Sequence, residues 1–108
     1  MPNHYEQAWI NDHLDLYNYA GRIGDREWQA DLKQRFLTRE EHLSTITVEV
    51  LRQDLWRIFD QINVKMLELF GELRAEPDQE REAELRDKVW ELKSMRIEIV
   101  RKIKSLQP

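Results

Sequence analysis

Apolar residues recur every three or four positions along this chain, in runs separated by short polar breaks. In the first run Trp9, Leu16, Ala20 and Ile23 share one helical face, with Ile10, Leu14 and Tyr17 beside it. This spacing predicts a helix over about 4–23. Gly24 suits the left-handed position that ends a helix, and Asp25 suits the cap of the next one. The second run places Trp28, Leu32 and Phe36 at spacings of four. Together these runs predict an N-terminal helical hairpin over 4–37.

Thr38 and Glu41 have the form of a capping box, which starts a third helix at Thr38. The β-branched stretch 44–48 offers an alternative, a kink or restart capped by Thr45 or Thr47. Beyond it, Leu55, Phe59, Ile62, Met66, Leu69 and Leu73 alternate steps of four and three, as a coiled-coil seam does. Leu51, Trp56 and Ile58 widen that seam. The pattern stops at Pro77, whose predecessor disfavours helix, and Asp78 can cap a fourth helix. A last seam runs through Leu85, Val89, Leu92, Ile99, Ile103 and Leu106, with Arg96 on it. Ile97 and Trp90 fall on a second face. Two long helices joined by a short proline turn must lie antiparallel. The expected fold is therefore all-α: a single domain, 1–108, in which a long hairpin over 39–107 carries the shorter one in a four-helix, bundle-like arrangement.

The segment Leu51-Arg52-Gln53-Asp54-Leu55-Trp56 is echoed by Leu85-Arg86-Asp87-Lys88-Val89-Trp90, 34 residues later. Tetratricopeptide repeats share that period, and residues 23–28 resemble the Gly-Asp turn inside such a repeat. The signature residues after the tryptophan are missing, so the resemblance implies a helical hairpin and nothing further. Residues 59–70 resemble the apolar skeleton of the first helix in all-helical chorismate mutases. That family has an arginine where this chain has Leu73, and Arg74 is one step out of register. The resemblance implies a small helical enzyme with a polar pocket, here around Arg96 and Asp60.

Composition narrows the chemistry. The chain has 108 residues, 41% apolar and 35% charged, a mixture suited to amphipathic helices. It has no Cys, which excludes disulfides, thiolate nucleophiles and Cys-bearing zinc sites. The start lacks the basic and apolar regions of a signal peptide, and no run reaches the ~18 apolar residues of a membrane span. A cytoplasmic protein without a membrane partner is expected. Net charge is −4 but unevenly spread: residues 76–91 carry −4 and residues 92–108 carry +4. Acids at the start of a helix and bases at its end complement the macrodipole.

Motifs of enzymes are missing. His4 and His13 are nine residues apart and point to opposite sides of one helix, and neither Glu-x-x-His nor His-Glu-x-x-His occurs. Asp12, His13 and Asp15 are expected as surface polar residues. None of Ser44, Ser94 and Ser105 sits in a nucleophile elbow, and no phosphate-binding loop is present. No cofactor, metal or catalytic residue is assigned.

The expected function is thus a non-enzymatic protein–protein interaction or structural module, closing its exposed face as a homodimer. Candidate interaction residues are Trp56, Trp90, Ile97, Arg96, Arg101, Lys102 and Lys104. Trp9 and Trp28 are expected in the core; for Trp56 and Trp90 the expected cover is the N-terminal hairpin, ahead of an outside partner. Arg96 has Asp60 as its expected partner, since the two lie at similar distances from Pro77. Nucleic acid is the rival partner, gripped by Arg101, Lys102 and Lys104, and the acidic chain argues against it.

Overall fold

The computed structural model describes residues 4–40 and 47–106. Among these residues four helices follow one another: α1 (His4–Arg22), α2 (Arg26–Glu40), α3 (Val48–Arg74) and α4 (Gln79–Ser105). The fold is all-α with no strand among the described residues, and α1 packs closely on α2, as α3 does on α4. The chain divides into two compact units, Met1–Leu51 and Arg52–Pro108.

In the first unit, Trp9, Leu16, Tyr19 and Ala20 on α1 and Trp28 and Leu32 on α2 are buried. Trp9 stacks on the rings of His13 and Phe36, with centroids 3.8 and 5.8 Å away. Tyr19 meets Trp28 edge-on at 6.2 Å. The turn between the helices is a Schellman motif: Asp25 N donates to Ala20 O (2.9 Å) and Gly24 N donates to Gly21 O (3.1 Å). Gly24 holds φ at +74° as this motif requires, and the Asp25 carboxylate then accepts from Trp28 N at 3.0 Å. A Cβ at Gly24 would meet no neighbour, so only the backbone conformation opposes it. Gly24→Ala is expected to lower the urea midpoint by the equivalent of about 1–2 kcal/mol.

The start of the third helix differs from the capping-box expectation. α2 runs through Thr38 to Glu40, and the Thr38 hydroxyl donates to Gln34 O at 2.9 Å. A hydroxyl bonded back to the preceding turn continues a helix as readily as it caps one. Glu41 and Thr45 lie outside the described residues. Thr47, the alternative cap, has its hydroxyl accepting from Val50 N at 3.2 Å, and α3 begins at Val48.

In the second unit, α3 buries Leu55, Ile58, Ile62 and Met66, and α4 buries Leu85, Val89, Leu92, Ile99 and Ile103. Ile58 takes the seam position expected of Phe59. The bulkier ring is displaced to the flank, where it meets Trp56 edge-on at 5.4 Å. After Arg74 the chain reverses through Glu76, a non-glycine residue held at φ 55°. Asp78 then caps α4 by accepting from Arg81 N at 2.8 Å. Glu76→Gly relieves the left-handed strain and is expected to raise the unfolding midpoint, by up to about 1 kcal/mol. Across this turn Arg81 bonds Glu72 on α3 and Glu84 on its own helix, each at 3.1 Å. Its hydrogen bond to Glu72, then that to Glu84, pushes its pKa above the ordinary arginine range. The pairs are exposed, so they define the turn more than they stabilise it.

Candidate functional site

The four tryptophans fall into two classes. Trp9 and Trp28 are core, at 0% and 2% exposure, as expected. Trp56 and Trp90, both in the α3–α4 unit, are 46% and 71% exposed. Ile97 is 59% exposed, and Leu67 and Val64 on α3 stand open as well.

Helical phase explains which of these belong together. At about 100° per residue, steps of four and three return to one side of a helix. On α4 such a stripe runs Arg86, Trp90, Lys93, Ile97, Val100, Lys104, one flank away from the buried seam. On α3 the matching stripe runs Trp56, Asp60, Asn63, Leu67, Phe70, Arg74. A groove of about 180 Å³ joins them, lined by Phe70 and Leu73 of α3 and by Arg86, Val89, Trp90 and Lys93 of α4. Both stripes therefore lie on one side of the hairpin. Seen in sequence, the same 3-4 stepping was present on α4, but Arg86 and Lys93 at two of its positions hid the apolar run. Leu67 and Phe70 were missed because the clean α3 seam one residue away accounted for the spacing.

The remaining candidates lie outside this groove. Arg96 is half-buried on the seam, and its guanidinium donates to Asn63 Oδ1 at 2.8 Å, not to Asp60. Asp60 lies two residues from buried Ile62, which turns its exposed carboxylate away from α4. Neither Arg96 nor Asp60 lines a described cavity. The basic trio at the end of α4 does not make one exposed cluster. Arg101 donates to Glu98 on its own helix, Lys102 is half-buried, and Lys104 belongs to the Trp90 stripe.

The first unit holds a second cavity, of about 200 Å³ and almost wholly apolar, lined by His13, Leu14, Tyr17, Leu32, Lys33, Phe36 and Leu37. The surface position expected for Asp12 and His13 is corrected: they are 7% and 2% exposed, whereas Asp15 is exposed. His13 stacks on Trp9, and its Nδ1 lies 2.9 Å from the Trp9 carbonyl. A carbonyl only accepts, so Nδ1 carries the proton. A flat indole shelters an imidazole that binary patterning assigns to water. Among the described residues no group of three or more His, Cys, Asp or Glu is placed to hold a metal ion. No helix described is long and apolar enough to cross a membrane.

No protein-family model, curated protein or solved structure matches the chain, and the two short family resemblances stay confined to the residues that carry them.

Proposed function

We propose that this chain is a non-enzymatic protein-interaction module that docks a partner protein on the exposed flank of the α3–α4 hairpin. One observation carries the reading: Trp56, Leu67, Trp90 and Ile97 are exposed on one side of a hairpin whose own seam is already buried. Trp is the side chain most often found as an anchor where two proteins meet, because a large apolar ring is desolvated at little entropic cost. Size agrees. Two helices of 27 residues, each about 40 Å long and 10 Å wide, present about 800 Å², near what each partner gives a standard interface. A groove between two packed helices suits a further helix laid against it. A homodimer would close the same face with a second copy.

A helical probe tests this. A peptide of about 28 residues with a leucine stripe flanked by glutamines, kept at concentrations where it is monomeric, is expected to bind the wild-type chain and to bind the Trp90→Ala variant much more weakly. Absence of binding, or equal binding by the two chains, contradicts the proposal.

A further inference from the structure

We infer that the partner helix this face selects is acidic, with carboxylates flanking its apolar stripe; the inference rests on the docking face proposed above. Beyond Glu82 in its first turn, the charged positions of the α4 stripe are basic: Arg86, Lys93 and Lys104. Arg86 and Lys93 line the groove on either side of Trp90, and Arg74 ends the α3 stripe. The acids on this side are Glu49, two turns before Trp56 and far from the groove, Asp60, and Glu82, which already accepts two hydrogen bonds from Arg86, at 2.8 and 3.1 Å. A chain of net charge −4 thus sets two basic side chains, Arg86 and Lys93, at a groove that joins Trp90 to α3.

Such a placement sets specificity as well as attraction. A second copy presented face to face would bring Arg86, Lys93 and Lys104 against their own counterparts, so the homodimer is disfavoured by the same charges that favour an acidic helix. Nucleic acid would satisfy the bases but would leave Leu67, Ile97 and Val100 against sugar and phosphate. Aliphatic stripes at helical spacing are matched by another amphipathic helix.

The test uses three peptides with the same leucine stripe, flanked by glutamate, glutamine or lysine. At low salt the glutamate peptide is expected to bind about tenfold tighter than the glutamine one, and the lysine peptide more weakly than either. The advantage should shrink toward parity near 0.5 M salt as the pairs are screened. The Arg86→Glu, Lys93→Glu double variant should reverse the order and prefer the lysine peptide. Both positions are exposed, and circular dichroism confirms that helicity is kept. If the glutamate and glutamine peptides bind alike and both are lost in Trp90→Ala, the inference fails and the docking face stands. If no peptide binds while the chain alone doubles its mass, and more so at high salt, the second copy is the occupant and the inference is overturned. Tighter binding of a single-stranded oligonucleotide than of the glutamate peptide overturns both.

Discussion

Trp90→Ala is expected to leave the fold intact and to weaken binding of the glutamine-flanked helix about thirtyfold. The two halves of this result come from one fact. With 71% of its surface open, Trp90 has little burial to lose in the free chain. Its removal should therefore move the urea midpoint by less than the equivalent of about 0.5 kcal/mol. In a complex the same ring would be desolvated over the groove between Phe70, Leu73 and Val89. Truncating a central tryptophan at such a site typically removes about 2 kcal/mol or more of binding free energy. Calorimetric titration and urea unfolding of the same two chains separate the effects. A large loss of stability with unchanged affinity would show that Trp90 serves the fold and not a partner.

The largest effect on stability is expected at the opposite kind of tryptophan. Trp9→Ala should destabilise the chain by about 3–5 kcal/mol. Its side chain is fully buried and holds two rings, those of His13 and Phe36, in stacked contact. Removal loses the transfer free energy of the indole and leaves a cavity that neighbouring rings fill only in part. Against a typical total of about 5–15 kcal/mol, that is enough to lower the thermal midpoint steeply. Trp9→Phe keeps a flat partner for His13 and should recover part of the loss. A change below about 1 kcal/mol for Trp9→Ala, read from urea unfolding, would contradict the burial described.

Periodicity made the helices legible, because each buries one stripe and the stripe repeats at the helical period. Gly24 and Asp25 were equally readable, since a left-handed glycine followed by a capping side chain leaves few other uses for that pair. The boundary near Thr38 was not. A threonine followed three residues later by a glutamate fits both a helix interior and a helix start, and the choice depends on contacts remote in sequence. Arg96 was placed on the right seam, but Asn63 and not Asp60 receives it. Counting residues from Pro77 sets the level along two helices, whereas rotation about each axis decides which side chain meets the partner.

The exposed side proposed for docking was half legible. Ile97 and Trp90 were seen to share a second face, and both are exposed on it. What sequence alone did not supply was the α3 half, because which flank of α3 lies beside which flank of α4 is a property of the packed pair. The echoed Leu-Arg-x-x-(Leu/Val)-Trp segments each place a tryptophan one residue beyond a buried seam position, Leu55 or Val89. In both copies the tryptophan is the exposed member of that pair.

The most direct test of a docking face on the α3–α4 hairpin is a map of where a helix binds. Backbone amide resonances of the wild-type chain would be followed by NMR as the glutamine-flanked peptide is added. Shifts are expected along the two stripes, strongest around Phe70, Arg86, Trp90, Lys93 and Ile97. Shifts centred instead on the α1–α2 cavity around Leu14, Lys33 and Leu37, or no shifts at saturating peptide, would contradict it.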